Sequence, residues 1–373
     1  MRVIFTCGGT AGHVNPALAL AGLIRARKPD SEILFVGARR GIERQLIEEA
    51  GWPFRAVEIS SFHRSLKPRE IRHNLISLKN LALSPAQARA ILKDFPADLV
   101  VGTGGYASYP VVRAAAKQGI PTAIHESNAV PGLTTKALSK VVDLVMVGFE
   151  GAAEHYHHPE KVVVTGTPVR GDFFRYTRRE AREKLGIHDE RPLLLSYWGS
   201  LGATVMNDYM ARFIALECGA GTPFHHIHGA GGSYRRMLQK LSESGADLEG
   251  HPEIRVQEYI YDMPTVMAAA DLVLCRSGAS TISELIAIAK PAVLVPSPNV
   301  TADHQTKNAA ILARAGGAVL LGEGECSAEK LYALAEELLL DEKRRREMSH
   351  ALAQVSQGDA SERIYEALMG LLR

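Results

Sequence analysis

At 373 residues the chain exceeds what one ordinary hydrophobic core supports and predicts two domains. A composition of 46% hydrophobic and 23% charged residues excludes a disordered chain. A net charge of +2 excludes a global attraction to nucleic acid or an anionic surface, so any such affinity must come from a local patch.

In chain order, RVIFT (2–6) reads as a first strand, because its apolar run is too short for a signal peptide. EILFVG, FRAVEIS, ADLVVG, PTAIHE, VDLVMVG and KVVVTG follow as further buried strands, separated by helix-period stretches such as NPALALAGLIRAR and the Gly-capped GIERQLIEEAG. A turn-rich segment, GTPVRGDFFRYTR (166–178), interrupts this rhythm. The alternation restarts with PLLLSYWG, PFHHIHG, IRVQEY, ADLVLC, KPAVLVPS and GGAVLLG. That pattern predicts an α/β protein of two doubly wound, Rossmann-like parallel-sheet domains, 1–168 and 169–354, facing across a cleft. A terminal helix, 355–373, is long enough to cross back onto the first. No apolar segment approaches the ~18–20 residues that span a bilayer. Cys7, Cys218, Cys275 and Cys326 are scattered, as reduced thiols are in a cytosol.

Ligands of such sheets bind at the carboxyl ends of the strands, so the strand-to-helix loops hold the candidate chemistry. CGGTAGHVNPALA (7–19) places Gly8, Gly9, Thr10, Ala11 and Gly12 where backbone amides and a helix dipole meet an anion or sugar-phosphate. It is not a dinucleotide fingerprint, since no G-x-G-x-x-G occurs there and EILFVG ends in Ala-Arg-Arg without a ribose-binding acid. Read alone, it is as readily a tight turn. His13 shifts the balance: at a helix N-terminus the dipole favours the neutral, proton-accepting ring, which suits a general base. GTGGYAS (102–108) and HESNAVPG (125–132) join it at the same sheet edge, the latter offering Glu126 and Asn128 to sugar hydroxyls.

In the second half, YWGSLGATVMND presents Gly199, Ser200 and Gly202, and CRSGASTISE presents Arg276, Ser277, Gly278 and then Glu284. Two helix N-termini of small and hydroxyl residues form a diphosphate cradle, with Glu284 placed to accept both hydroxyls of a ribose. TADHQTKNA adds His304, Gln305 and Asn308. No D-x-D occurs in the chain. Metal-dependent nucleotide-sugar enzymes present such paired carboxylates, so amides, hydroxyls and Arg170 are expected to hold the diphosphate without a cofactor.

GGTAGH with VNPALA, GGYAS, HESN, GTPVR, GS-L-GA, EYIYDM, CRSGA-ST-ISE and DHQTKNA, in this order over nearly the whole chain, resemble the bacterial MurG family of glycosyltransferase family 28. The resemblance implies the GT-B fold and inverting transfer of N-acetylglucosamine from UDP-N-acetylglucosamine to the muramoyl 4-hydroxyl of lipid I, giving lipid II. It implies no metal or other cofactor and no nucleic-acid partner. By motif, Thr10, Ala11, Gly12, Asn128, Arg170 and Gln305 meet the donor and its sugar, and Ser200 the diphosphate. The backbone of Ile260 reads the uracil, while Ala279, Ser280, Thr281, Ile282, Ser283 and Glu284 line ribose and phosphates. His13 is the expected base, with Glu126 a second candidate. The chain departs from the family pattern at Tyr197-Trp198-Gly199, where a Gly-Gly pair is usual; Trp198 either crowds the phosphate loop or packs beneath it. HESN for the commoner HEQN keeps Asn128. A 2-epimerase acting on UDP-N-acetylglucosamine, or a non-catalytic nucleotide-sugar-binding protein, shares the same architecture.

FHRSLKPREIRHNLISLKNLALS (62–84) interleaves Arg64, Lys67, Arg69, Arg72 and Lys79 with Leu66, Ile71, Leu75, Leu78 and Leu81. Such a stretch is either a core-packed amphipathic helix with a solvated face or a surface for an anionic leaflet. With the resemblance, it implies peripheral binding at the cytoplasmic side of the cell membrane, near other cell-wall synthesis proteins. Two histidine clusters, His225–His226–His228 and His155–His157–His158, have no obvious carboxylate or cysteine partner for a closed metal site.

Overall fold

A computed structural model describes residues 1–60, 68–199, 202–300, 303–356 and 358–373; between 68 and 82 it describes the side chains of Asn74, Ser77 and Asn80. Ser200 and the start of the basic segment therefore lie outside the described residues, as do the basic and apolar side chains of 68–82. The chain divides into two compact units, 1–170 with 357–373, and 171–356.

The first unit holds strands β1 (Arg2–Thr6), β2 (Glu32–Ala38), β3 (Phe54–Val57), β4 (Leu99–Gly102), β5 (Thr122–Glu126), β6 (Leu144–Val147) and β7 (Val162–Val164). They form one sheet in the order β3-β2-β1-β4-β5-β6-β7, with every pairing parallel. Its helices are α1 (Ala11–Arg27), α2 (Ile42–Glu49), α3 (Pro68–Asp94), α4 (Ser108–Lys117) and α5 (Leu133–Leu138). The strands are nearly continuous apolar runs because helices cover both faces. One buried cluster joins Ile4, Val100 and Val112; another joins Phe5, Phe35 and Val101.

In the second unit, α6 (Arg178–Lys184) leads into β8 (Leu193–Tyr197), α7 (Thr204–Gly219), β9 (His225–Gly229), α8 (Tyr234–Ser244), β10 (Ile254–Gln257) and α9 (Met263–Ala269). There follow β11 (Leu272–Cys275), α10 (Ala279–Ala287), β12 (Ala292–Leu294), α11 (His304–Ala315), β13 (Ala318–Leu320), α12 (Ala328–Leu340) and α13 (Glu342–Val355). The parallel sheet runs β10-β9-β8-β11-β12-β13. Helix α14 (Ala360–Gly370) returns to the first unit, where Ile364 and Leu368 join the Phe5 cluster and Glu362 pairs with Arg27 of α1. In each sheet the strand order reverses at the first strand of the unit, and the loops at that carboxyl edge are where a doubly wound sheet takes its ligand. Among the described residues no helix is long and apolar enough to cross a membrane.

Candidate active site

In the first unit, the loop after β1 and the loop after β4 meet backbone to backbone. Gly8 N–H donates to the Gly104 carbonyl at 3.2 Å, and a Cβ at Gly105 would overlap the Gly8 carbonyl. Gly104 and Gly105 have φ of +114° and +81°, a region costly for any residue with a Cβ. Gly8 is closed in from its other side by Glu43, whose Oε1 would lie 2.6 Å from a Cβ there. This carboxylate is wholly buried and accepts from Ala38 N–H at 2.9 Å and Gly9 N–H at 3.1 Å. Burial, with Glu43 adding its charge, pushes the Cys7 thiol well above its ordinary range. The bare backbone of this loop thus admits a second loop and a buried acid. Sequence reading passed over Glu43, although Gly8, Gly37 and Gly41 are all glycines that back onto its side chain.

His13 is the third residue of α1, which has Thr10 as its N-cap. Its Nδ1 lies 2.8 Å from the Gly8 carbonyl, an oxygen that can only accept, so Nδ1 carries the hydrogen and Nε2 presents a lone pair. Thr103 Oγ1 donates to the His13 carbonyl at 2.6 Å. Gly104 backs onto the ring: a Cβ there would come within 2.5 Å of Cδ2 and 3.0 Å of Nε2. Thr10 is exposed, and Ala11, Gly12 and His13 are half-buried. Pro16 is the sixth helical residue and lacks the N–H that would otherwise bond the Gly12 carbonyl.

Glu126 ends β5 and is buried. Its Oε1 accepts from Asn128 N–H at 3.1 Å and from the Asn128 side-chain amide at 2.9 Å, and its Oε2 accepts from Gly132 N–H at 3.1 Å. Both oxygens order the loop that carries Asn128. The neighbouring His125 is buried, with Nε2–H on the Gly166 carbonyl at 2.9 Å, and burial lowers its pKa. Arg170 closes the first unit and is exposed.

In the second unit, Trp198 belongs to the buried cluster with Met206 and Met210, and the Arg276 guanidinium lies 5.8 Å from its ring centroid. The packing reading of the Tyr-Trp-Gly departure is the one that this burial supports. Arg276 donates to the Val295 and Pro296 carbonyls, both at 3.1 Å, and pairs with Glu323, so it clamps loops rather than facing a ligand.

The expected ribose-and-phosphate run at α10 divides in two. Ala279, Ser280, Thr281 and Glu284 are half-buried, whereas Ile282 is wholly in the core and Ser283 returns its hydroxyl to the Ala279 carbonyl at 2.8 Å. The Ser280 hydroxyl is buried and makes no hydrogen bond. Gln305 accepts from Ser297 N–H at 2.8 Å, which fixes its amide, and its carbonyl takes the Ser277 hydroxyl at 2.9 Å. Ile260 is buried against Gly229, while Tyr259 and Tyr261 beside it are exposed, their rings 5.1 Å apart.

All three rings of the 225–228 cluster are hydrogen-bonded. His225 Nε2 meets Asp189 at 2.8 Å and His226 Nδ1 meets Glu217 at 2.8 Å, so the carboxylate partners that the sequence did not reveal exist. His158 lies 3.0 Å from Glu160. Among the described residues no group of three or more His, Cys, Asp or Glu is placed to hold a metal ion.

Two doubly wound parallel sheets with glycine-rich loops at their carboxyl edges define a protein of the GT-B class. Residues 3–147 match the glycosyltransferase family 28 N-terminal domain and residues 197–364 the family 28 C-terminal domain. A relative from Acetivibrio thermocellus is 40% identical over 374 residues, covering 100% of this chain and 99% of its own. One from Caldanaerobacter subterraneus is 38% identical, covering 98% of both. Each is named UDP-N-acetylglucosamine–N-acetylmuramyl-(pentapeptide) pyrophosphoryl-undecaprenol N-acetylglucosamine transferase. The chain belongs to glycosyltransferase family 28. Among solved structures it is similar to Acinetobacter baumannii MurG, with a TM-score of 0.73, 27% identity and 99% of each chain covered. The UDP-bound S. aureus MnaA, at 18% identity and a TM-score of 0.67 with 98% and 95% covered, shares the fold.

Proposed function

We propose that this chain is an inverting glycosyltransferase that moves N-acetylglucosamine from UDP-N-acetylglucosamine to the 4-hydroxyl of the muramoyl sugar of lipid I, yielding lipid II. One observation carries the chemistry: His13, with Nδ1–H committed to the Gly8 carbonyl, holds Nε2 open as a proton acceptor. The full-length relatives of that name support the substrate pair. On this reading the muramoyl oxygen attacks the anomeric carbon, its proton passes to His13 Nε2, and the carbon–phosphate-oxygen bond breaks. UDP leaves with that electron pair, and the anomeric carbon inverts.

Glu126, with both oxygens ordering its loop, serves as a positioning residue for Asn128 rather than as the base. The first unit handles the acceptor and supplies Thr10, Ala11, Gly12, Asn128 and Arg170 toward the transferred sugar. The second grips the nucleotide through the Ile260 backbone, Ser200, the half-buried first turn of α10 with Glu284, and Gln305. The basic stretch from 62 to 84 brings the enzyme to the anionic cytoplasmic leaflet that carries the lipid acceptor. A 2-epimerase reading has only the shared fold in its favour.

The test is direct. Chelator-treated protein, given UDP-N-acetylglucosamine and a muramoyl-pentapeptide diphospholipid, should release UDP and form a β-linked disaccharide lipid. Sedimentation with vesicles should require anionic lipid. Epimer formation from the donor alone, with no transfer to the lipid, would overturn the assignment.

A further inference from the structure

The second unit encloses a row of polar side chains with no part in the chemistry above. Asn207 donates through Nδ2 to the Ala230 carbonyl at 2.7 Å, so its Oδ1, 3.2 Å from His228 Nε2, accepts. His228 then carries its hydrogen on Nε2, and its Nδ1 accepts from the Ser196 hydroxyl at 2.7 Å. With that hydrogen spent, Ser196 Oγ accepts from His226 Nε2 at 2.7 Å, and His226 Nδ1 shares one proton with Glu217 Oε2 at 2.8 Å. Every member is sealed from solvent. The Ser–His–carboxylate order invites comparison with a nucleophilic triad. Here the serine is inaccessible and its proton points away from His226, so it is no nucleophile. The row has one outlet, the Ala230 carbonyl.

Three edge loops meet at Ala230. A Cβ at Gly202, on the turn after β8, would overlap the Ala230 oxygen. Ala230 N–H donates to the Gln257 carbonyl at 2.9 Å, and Gly231 N–H donates to the Glu258 carbonyl at 2.8 Å, on the segment leading to Ile260. Ile260 Cδ1 would itself lie 3.1 Å from a Cβ at Gly229. The peptide at Ala230 therefore spaces the phosphate-side turn from the base-reading segment.

We propose that Asn207 is a positioning residue for the donor. It holds the Ala230 carbonyl, and with it Gly202, at a set distance from Gln257–Ile260. The Glu217–His226–Ser196–His228 row locks the direction of its amide. Each link from Glu217 Oε2 to Asn207 is made, with only the far oxygen, Oε1, of Glu217 left without a partner, and such a linked buried row resists rotation of any one member. A nucleoside diphosphate that spans both loops binds well only when they are already spaced for it. This role rests on the reading above that this edge takes the donor.

The experiment uses full-length protein and two variants, Asn207→Asp and Asn207→Ala. The first keeps size and the His228 acceptor but removes the donor to Ala230; the second removes the amide without burying a charge. UDP binding by calorimetry and steady-state kinetics are measured beside thermal unfolding. The expected result is a roughly tenfold rise in UDP Kd and donor KM, with kcat and acceptor KM within about threefold. In the wild type, UDP should slow amide exchange at Gly202, Ala230 and Gly231 together. A folded variant with wild-type UDP affinity, an equal loss in kcat and both KM values, or protection confined to Gly202 would each overturn the role, the last without requiring any variant to fold. A wild type that fails to bind UDP would remove the donor reading itself, and this role with it.

Discussion

The two sheets share a winding plan, yet their carboxyl edges are built differently. In the first unit the edge is backbone against backbone: the Gly8 and Gly104–Gly105 loops touch where side chains have no room, with a buried carboxylate beneath and one imidazole at the rim. In the second, side chains brace the loops: Asn207 on Ala230, Arg276 on Val295 and Pro296, Ser277 on Gln305. The contrast fits the two tasks. On the proposed reading, close-packed backbone fixes the loop that sets His13 beside the acceptor. Directional hydrogen bonds hold several loops at the spacing that one small, highly functionalised nucleotide demands. The most informative experiments break one edge and leave the other intact.

Largest in effect is loss of the proposed base. His13→Ala should lower kcat by ~10²–10⁴-fold, the range for a general base, with UDP affinity near wild type. Equal turnover in the variant removes His13 from the role. Next comes the backbone contact. Gly105→Ala puts a methyl group into the Gly8 carbonyl at a φ of +81°. The conformation alone costs about 1–3 kcal/mol, and the clash displaces the loop that carries His13. A fall in kcat of at least about tenfold is expected, again with UDP binding by the second unit retained; coupled loss of UDP binding would show that the edges are not separable.

Much of the fold was legible because each strand of a doubly wound sheet is buried on both faces and reads as an apolar run, whatever its partners. All thirteen stretches read as strands, from RVIFT to GGAVLLG, contain strands among the described residues. The glycine loop and the imidazole beside it were legible for the same local reason. What could not be read was partnership at a distance. Glu43 looks like an ordinary acid in an amphipathic helix, and only the fold of β1 and β2 over it shows it buried. Glu217 lies nine residues before His226, on another element, so no spacing rule pairs them. The run 279–284 presents some residues and buries others because helical periodicity, rather than motif membership, decides which side chains face out.

A subtler break of the second edge uses pH. Burial, with His226 adding to it, holds His228 down at about 3, against an unfolded value of 6.5. The unfolded chain therefore binds a proton that the folded chain refuses. The stability this contributes is complete above pH 6.5 and is lost as pH falls toward 3. Between pH 6.5 and 5 the second unit should lose about 1.6 kcal/mol from this group. Denaturant unfolding of wild type and of His228→Gln at the two pH values checks it: the variant's stability should fall less. Parallel curves would place the acid sensitivity elsewhere.

The smallest expected change concerns Trp198, where the chain departs most from its family's motif. If the indole crowded the phosphate turn, trimming it would improve donor binding. It lies instead within the core cluster, and its N–H is buried without an acceptor. Trp198→Phe gives up part of the buried ring area but also removes an unsatisfied donor, which itself costs about 1–3 kcal/mol. The two terms oppose, and a phenyl ring keeps a face toward Arg276. Unfolding free energy should therefore move by less than about 1 kcal/mol, and donor KM should stay within about twofold. A large gain in donor affinity would mean that the ring presses on the turn after all, and that the second edge is tuned by bulk as well as by hydrogen bonds.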